Sequence, residues 1–360
     1  MSMSRARRRT SLTVVAAGLL LTAGAVAVTA APAAAATPAF VWTEQDHVHF
    51  TAAADDTANN VTITDYGFGG FAIQDAGGPI SLDLTRAGAC IRLDTNRIGC
   101  PTRSMGASFH LGHGDDTFVG WRDGVNLEVH VHGGTGRDSI SGGAAVDHLY
   151  GDGGDDSIWG GGGGDFIYGG DHIDQIYGGA GADTIDGEAG ADSVSGGDDG
   201  DLLINASRSR DSLSGDAGDD VIQGADFVRA GPGDDVIWMR AGFGEYYGDA
   251  GYDTIDYSYW PYPTLTMSLD GNDNDGAPGA KQNVHGDFER VVGSPGPDRI
   301  QGNGEADLIE GRGGNDILLG HGGNDVLDAG PGQAQQTIGG DGWDTCRGTD
   351  VVNRRGCDAS

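Results

Sequence analysis

Aspartate is the residue type whose spacing in this chain points to chemistry. Between residues 133 and 204 one aspartate recurs at every ninth position, through eight consecutive repeats. These residues are Asp138, Asp147, Asp156, Asp165, Asp174, Asp183, Asp192 and Asp201. A glycine-rich turn precedes each aspartate, and an aliphatic residue follows two positions later. Flexible linkers do not keep carboxylates and aliphatic side chains in register, so the pattern predicts an ordered array of oxygen ligands for cations.

Short turns and short strands are the elements that must position these carboxylates. Paired glycines permit positive φ and tight turns, and the triplet after each turn can form a short strand. Two turns and two strands make one flattened coil of 18 residues, and successive coils stack as parallel strands about 4.8 Å apart. The odd repeats then form one column of aspartates along one edge, namely Asp138, Asp156, Asp174 and Asp192. The even repeats form a second column along the other edge, namely Asp147, Asp165, Asp183 and Asp201.

Repulsion within these columns predicts that folding requires a metal ion. Two unit charges about 4.8 Å apart repel by about 3.5 kcal/mol at an effective dielectric constant near 20. Each repeat buries one aliphatic side chain, worth about 1.5–3 kcal/mol, while ordering its backbone costs about 1–2 kcal/mol per residue. A divalent cation between turns removes the repulsion. Calcium suits carboxylate and carbonyl oxygens, whereas magnesium prefers tighter octahedral sites with retained water.

The repeat loses phase after residue 204 and later recovers it. Asp211 follows Asp201 by ten residues, and we expect a bulge or loop near residues 205–210 and 224–230. The next sixth-position aspartates are Asp220, Asp235 and Asp253. Five prolines between residues 257 and 297 then break the pattern. A second in-phase array follows, with Asp298, Asp307, Asp316 and Asp325.

The nine-residue phrase resembles the GGxGxDxUx repeat of hemolysin-type (RTX) calcium-binding proteins. The resemblance covers about residues 111–256 and 298–347, and it implies an all-β fold, a parallel β-roll in two arrays with an N-terminal β-strand cap. It also implies that each calcium ion lies between one turn and the turn two repeats later, bound by sixth-position aspartates and turn carbonyls. The implied ligands include all the repeat aspartates named above except Asp211, fifteen in total. They also include the turn residues Gly133, Gly151, Gly160, Gly178, Gly187 and Gly313.

Three turns depart from the repeat. Ala145, His172 and Asp199 stand at the fourth position, where glycine is expected. A side chain at that position strains a turn that requires positive φ. We therefore expect weak or absent calcium binding at these turns.

Residues 1–36 are typical of an export leader. Arginines form a basic start, an Ala/Val/Leu-rich core follows, and Ala34 to Ala36 offer small residues for cleavage before Thr37. A retained membrane anchor is the alternative interpretation, and the Arg8–Arg9 pair leaves the twin-arginine route open beside general secretion. We expect a secreted, extracellular protein, and the whole arrangement resembles secreted actinobacterial RTX-type proteins.

The net charge of −33 argues against nucleic acid and anionic membranes as partners. Calcium ions are the expected partners, and an extracellular glycan or protein partner stays open. Four cysteines suit an exported protein. Three connectivities are possible, of which the local pairs Cys90–Cys100 and Cys346–Cys357 are favoured as structural staples.

The same patterns give the expected domain boundaries. Residues 37–131 alternate with period two and predict a β-rich cap that holds the first cysteine pair. The first roll is predicted for residues 132–256, a β-strand insertion for 257–297 and the second roll for 298–344. Residues 345–360 form the expected disulfide-closed tail.

Two other motifs suggest metals but favour ordinary structure. The loop at 270–276 resembles an EF-hand, but Asp275 replaces the required glycine and Lys281 the bidentate glutamate, so a solvated loop is favoured over an irregular calcium site. The pairs His47/His49 and His130/His132 alternate on strands and could bind zinc. Solvent-facing histidines are the favoured interpretation.

Outward aromatic residues offer an alternative function. Those predicted to face outward are Tyr150, Phe166 and Tyr168 on one sheet, and Trp159 and Tyr177 on the other. They either cover the sheet or pack on the insertion, or they form the binding face of a calcium-rigidified adhesin or glycan/matrix-binding module. The sequence contains neither HExxH nor GxSxG. A secreted, non-enzymatic calcium-binding protein is therefore the favoured prediction.

Overall fold

The computed structural model describes residues 39–44, 47–52, 58–67, 70–76, 80–82, 90–93, 97–100, 106–120, 127–204, 210–224, 226–240, 243–272, 274–277, 281–348 and 351–358. In these ranges every regular element is a β-strand, and none of the described chain forms a helix with the length and apolarity of a membrane span. The predicted leader, residues 1–36, lies outside the described residues.

The strands are short and follow one another closely. The N-terminal strands are β1 (Ala39–Glu44), β2 (His47–Thr51), β3 (Asn60–Gly67), β4 (Gly70–Asp75), β5 (Ile80–Leu82), β6 (Ile91–Arg92), β7 (Arg97–Cys100), β8 (Gly106–His113) and β9 (Thr117–Val119). The central strands are β10 (Val129–Thr135), β11 (Ser139–Gly143), β12 (His148–Gly153), β13 (Ser157–Gly162), β14 (Phe166–Asp171), β15 (Gln175–Ala180), β16 (Thr184–Ala189), β17 (Ser193–Asp198), β18 (Leu202–Ile204), β19 (Ser212–Ala217), β20 (Val221–Gln223), β21 (Phe227–Pro232), β22 (Val236–Trp238), β23 (Gly244–Ala250) and β24 (Thr254–Asp256). The C-terminal strands are β25 (Leu265–Ser268), β26 (Gln282–Val284), β27 (Arg290–Val292), β28 (Asp298–Gln301), β29 (Leu308–Glu310), β30 (Ile317–Gly322), β31 (Val326–Asp328), β32 (Gln335–Asp341), β33 (Thr345–Arg347) and β34 (Val351–Arg355).

Alternate strands along the chain enter different sheets, which makes the fold a solenoid. The first sheet has 16 strands from β33 to β5, the second has 13 from β26 to β6, and the third has five, β25-β28-β30-β32-β34. In the central part the pairing is parallel with a step of 18 residues, so that Leu149 of β12 pairs with Val131 of β10 on one side and Ile167 of β14 on the other. This arrangement confirms the predicted all-β, parallel β-roll.

The core between the sheets is a double row of aliphatic side chains. Each central strand contributes the residue two positions after its aspartate, and these residues are buried. They include Ile140, Leu149, Ile158, Ile167, Ile176, Ile185, Val194 and Leu203. Because one side chain per strand fills the space, this core is thin, and it stabilises each nine-residue repeat by only about 1.5–3 kcal/mol.

The N-terminal strands use a different pairing. β2 pairs with β8 in parallel and with β1 antiparallel, while β3 pairs with β9 in parallel and with β4 antiparallel. In this region phenylalanine rings take the place of the aliphatic row in the core. The ring of Phe109 contacts those of Phe50 and Phe118 at centroid distances of 6.0 and 4.7 Å. The β-rich region before the repeats therefore continues the core of the roll and adds antiparallel edges to its sheets.

Both local cysteine pairs form disulfides. Cys90 is bonded to Cys100, with 4.1 Å between their Cα atoms, and Cys346 to Cys357, with 5.7 Å. The pairing predicted from sequence proximity is therefore confirmed. Each bridge closes a short loop near one end of the described fold.

The proline-rich segment interrupts one side of the solenoid but not the other. In the first sheet Thr254 of β24 pairs directly with Arg290 of β27, so this sheet passes the segment without a gap. The second sheet ends where β26 pairs with β23, and the third begins where β25 pairs with β28. The two predicted arrays thus share one continuous sheet.

Candidate calcium sites in the turns

The turns have the backbone conformation that the glycine pattern predicts. In the turn before Asp138, Gly134 at the second position and Gly136 at the fourth have φ of 108° and 129°. At the fourth position of later turns, His172 and Asp199 keep positive φ, at 88° and 73°. These two residues therefore carry the expected strain. Ala145 does not have positive φ, unlike His172 and Asp199, so its turn adopts a different backbone conformation without this strain.

In six turns the residue at the second position is not glycine but still has positive φ, a feature that the repeat pattern does not predict. These residues are Asp152, Glu188, Asp216, Asp249, Arg312 and His321, with φ between 61° and 77°. Asp is tolerated in the left-handed region because its short polar side chain bonds to nearby backbone. The signal was present in the sequence as the missing second glycine of each of these turns.

The aspartates stack in two columns, as predicted. In the odd column, Oδ1 of Asp156 accepts a hydrogen bond from the backbone N–H of Asp138 at 2.7 Å. The even column repeats this bond, with Oδ1 of Asp165 accepting from the N–H of Asp147 at 2.8 Å. The same contact recurs along both columns to Asp211 and Asp253. Each carboxylate is thus fixed by the backbone of the coil before it.

The second carboxylate oxygen is buried and has no hydrogen-bond partner. This holds for Oδ2 of Asp116, Asp138, Asp147, Asp156, Asp165, Asp174, Asp183, Asp192, Asp201, Asp220, Asp235, Asp253, Asp316, Asp325 and Asp344. The side chains concerned are almost fully buried; Asp165, for example, is 1% exposed. A buried, ionised oxygen without a donor is strongly unfavourable. The row of such atoms therefore points to positive ions as the missing partners.

In most of these turns a glycine at the first position leaves room beside that oxygen; the exceptions are Leu111 before Asp116 and Ala230 before Asp235. A methyl group at Gly160 would lie 2.5 Å from the carbonyl oxygen of Gly178 and still closer to Oδ2 of Asp165. Gly133, Gly151, Gly178 and Gly187 occupy the same position in their own turns. Gly313, by contrast, is the third residue of its turn, and Gly311 is the one that faces Asp316. The cradle is lined by carboxylate and carbonyl oxygens, which are the ligands that calcium prefers.

Burial also shifts the protonation of these carboxylates. It raises the pKa of Asp165 to about 8, and the neighbouring charges of Asp147 and Asp183 act in the same direction. The backbone N–H of Asp147 opposes the shift. Burial likewise raises the pKa to about 6 or 7 for Asp116, Asp138, Asp147, Asp156, Asp174, Asp183, Asp192, Asp201, Asp220, Asp235, Asp253, Asp307 and Asp316.

Two predicted ligands in the second array are engaged differently. Asp298 accepts hydrogen bonds from Ser294 N–H and Oγ and from Leu265 N–H, so both of its oxygens have protein donors. In Asp307, Oδ2 accepts from the N–H of Asn303, and Oδ1 is the oxygen without a partner. The different hydrogen bonding of Asp298 has a signal in the sequence, because Ser294 replaces glycine at the second position of its turn.

Four acidic residues of the columns were missed as sites. Asp116 and Asp211 extend the odd column, and Asp344 extends the even column beyond Asp325. Oδ1 of Asp116 accepts from the N–H of Asn59, and the N–H of Asp116 donates to Oδ1 of Asp138. Oδ1 of Asp211 accepts from the N–H of Asp192, and Oδ1 of Asp344 accepts from the N–H of Asp325. Glu289 takes the place of an aspartate, since its Oε2 accepts from the N–H of Asp253 at 2.8 Å. Asp116 and Asp344 follow recognisable turns, whereas Glu289 lies 36 residues beyond Asp253 and has no nonapeptide signal.

Comparison with known families agrees with this geometry. Residues 132–167, 168–203, 203–225, 222–242 and 289–333 match the family described as RTX calcium-binding nonapeptide repeat (four copies). No curated protein matches the chain. The family match supports an RTX-type repeat protein, and Ca²⁺ is the ion expected in its β-roll turns.

In the loop at 270–276, Asp275 has a structural role. Oδ1 of Asp275 accepts from the N–H of Ser268 at 2.7 Å, and Oδ2 accepts from the N–H of Val284 at 2.9 Å. The Asp275 side chain is fully buried. Asp275 therefore connects β25 to β26 through backbone hydrogen bonds, which differs from the cation-ligand role that an EF-hand would give it.

The outward aromatic residues stack on one another along the sheets. Tyr150 lies over Tyr168 with ring centroids 5.1 Å apart, and Trp159 lies over Tyr177 at 5.8 Å. The two rings of the second pair are each 41% exposed. Parallel register at a repeat of 18 residues brings these side chains together, so they shield the sheet surface and each other.

Proposed function

We propose that the chain is a secreted, non-enzymatic calcium-binding protein whose β-roll folds when calcium binds in the glycine/aspartate turns. The observation that carries the proposal is that most buried carboxylates of the two columns have one oxygen without a donor. The sixth-position aspartates and the first-position turn carbonyls would hold the ions. Calcium bound there supplies the positive charge that these oxygens lack.

Energetics support folding on calcium. The core offers one aliphatic side chain per repeat, whereas each repeat also buries one carboxylate. Without a cation the buried charges must remain unpaired or be protonated, and either state opposes folding at neutral pH. The net charge of −33 adds a general repulsion that calcium also lowers.

Secretion and a non-catalytic role rest on separate features. The leader-like composition of residues 1–36 and the two disulfides suit an oxidising, extracellular compartment. The regular hydrogen bonds of the aspartates to backbone N–H groups support a structural role for these carboxylates. The abundance of aspartates is therefore explained without a catalytic pair of carboxylates.

A calcium titration of the protein, followed by far-UV circular dichroism, tests the proposal. A cooperative gain of β signal with calcium, absent with magnesium, is the expected result. A β spectrum that is already complete in chelator and unchanged by calcium would contradict folding on calcium. Mass spectrometry of the culture supernatant tests secretion, with a new N-terminus near Thr37 expected.

An asparagine in a column separates calcium binding from backbone anchoring. Asp165→Asn keeps an oxygen for the N–H of Asp147 but removes a buried charge. We expect the calcium midpoint to rise severalfold, while stability in chelator increases by about 1 kcal/mol or more, because a neutral amide costs less to bury than a carboxylate. Urea unfolding with and without calcium measures both effects.

The exposed Asp171 in the next turn is the matched control. Asp171→Asn removes the same charge from the surface and is expected to leave both quantities nearly unchanged. If the two variants behaved alike, general charge repulsion would account for the calcium effect, and the specific role of the column would be refuted.

A further inference from the structure

Two columns of stacked rings cross the outer face of the first sheet near its N-terminal end. In one column the ring of His148 lies between those of His130 and Phe166, at centroid distances of 4.4 and 4.8 Å. In the other column the ring of His132 lies between those of His110 and Tyr150, at 5.1 and 4.4 Å. The parallel register places these rings, because His130 pairs with His148 and His132 with Tyr150.

The first column includes a carboxylate that completes a set of metal ligands. One oxygen of Glu128 and one ring nitrogen each of His130 and His148 lie within 4.8 Å of one another. Glu128 already contacts His130, with 2.9 Å between Oε1 and Nε2. The side chains of His130 and Glu128 are 34% and 52% exposed, so an ion from solvent can reach them.

We propose that Glu128, His130 and His148 form a zinc site on the outer face of the roll, separate from the calcium turns. Two imidazoles and one carboxylate are a ligand set that binds zinc and leaves a fourth position for water. Imidazole nitrogen favours zinc over calcium, which binds through oxygen. The site therefore takes a transition-metal ion even when calcium is in excess.

The fold holds these ligands in place. His130 and His148 lie on adjacent hydrogen-bonded strands, and Phe166 stacks against the far face of the His148 ring. Zinc binding would require rotation of the Glu128 and His130 side chains to bring the ligand atoms closer than the 4.8 Å within which they lie, and both side chains are partly exposed. The neighbouring His132 is engaged elsewhere, because its Nδ1 contacts Asp152 at 3.2 Å.

Isothermal titration of the full chain with zinc, in saturating calcium, tests this site. The wild-type protein is expected to bind one zinc ion at this site, and His148→Ala is expected to weaken its binding at least tenfold. Glu128→Gln, which leaves both ring stacks intact, is expected to weaken binding as well. Circular dichroism in calcium checks that each variant retains the roll.

His132→Ala is the matched control, because it removes a stacked histidine from the same strand but from the other column. It is expected to leave zinc affinity unchanged. The proposal is overturned if the wild-type protein binds no zinc in calcium, or if folded His148→Ala and Glu128→Gln bind zinc like the wild type. It is also overturned if His132→Ala weakens binding as much as His148→Ala.

Discussion

Calcium-free protein is expected to become more stable as the pH falls from 8 to 5, and to regain β structure without any metal. The folded carboxylates have pKa values of about 6 to 8, as at Asp183 and Asp165, whereas an unfolded aspartate has a pKa of about 3.9. Protons can therefore replace calcium as the partners of the buried oxygens.

Stability rises at low pH because the pKa values of the buried aspartates are raised in the folded state. Between about pH 4 and pH 7 the folded chain binds more protons than the unfolded chain, so stability rises as the pH falls. Each carboxylate that is protonated only in the folded state contributes about 1.4 kcal/mol per pH unit. With more than a dozen such groups in the columns, the combined effect is expected to dominate the pH dependence of the metal-free protein.

Urea unfolding of dialysed, metal-free protein across this pH range measures the effect. The control is the same series in saturating calcium, where protons compete with the ion and acidification is expected to lower stability. A second series at about 1 M salt, where the Debye length is about 3 Å, removes most surface repulsion. Metal-free stability that is flat or rises with pH in high salt would refute the assignment of the pKa shifts to buried carboxylates.

A single methyl group at the first turn position is expected to disable a calcium site and destabilise the roll. Gly160→Ala would place Cβ 2.5 Å from the carbonyl oxygen of Gly178 and beside Oδ2 of Asp165. Both neighbours are fixed, one by the backbone ladder and the other by its hydrogen bond, so the strand must shift. Overpacking of this kind costs about 1–3 kcal/mol, and the methyl group also fills the space that the ion requires.

Gly162→Ala provides the comparison within the same turn. A Cβ at Gly162 meets no heavy atom closer than 3.8 Å, and its backbone does not require positive φ. This variant is expected to change stability by about 0.5 kcal/mol or less. Urea midpoints in saturating calcium compare the two, and equal midpoints would show that the first position has no special steric role.

The regular part of the fold could be predicted from the sequence because one repeat determines every level of it. Nine-residue spacing sets the turn and the strand, and 18-residue spacing sets the pairing of Leu149 with Val131 and Ile167. The disulfides followed from proximity in sequence, since each pair encloses a short loop. Local periodicity therefore fixed the register, the core and the two aspartate columns together.

Features that depend on contacts between distant coils could not be predicted. Glu289 enters the even column because β27 pairs with β24 across a gap of 36 residues, and no repeat marks that step. Oδ1 of Asp298 accepts from the N–H of Leu265, which is 33 residues away and outside any repeat. The pairing of His130 with His148 becomes visible only after the register is known, whereas the sequence suggests His132 as its partner.

The unbroken first sheet has a consequence for how the molecule loses its structure. In repeat proteins, stability is approximately a sum of repeat terms and of interfaces between neighbours. Because β24 is hydrogen-bonded directly to β27, the interface term between the two arrays is not interrupted at the prolines. The two arrays are thus thermodynamically coupled, and the melting of one exposes a sheet edge of the other, so they are expected to unfold in a single cooperative transition.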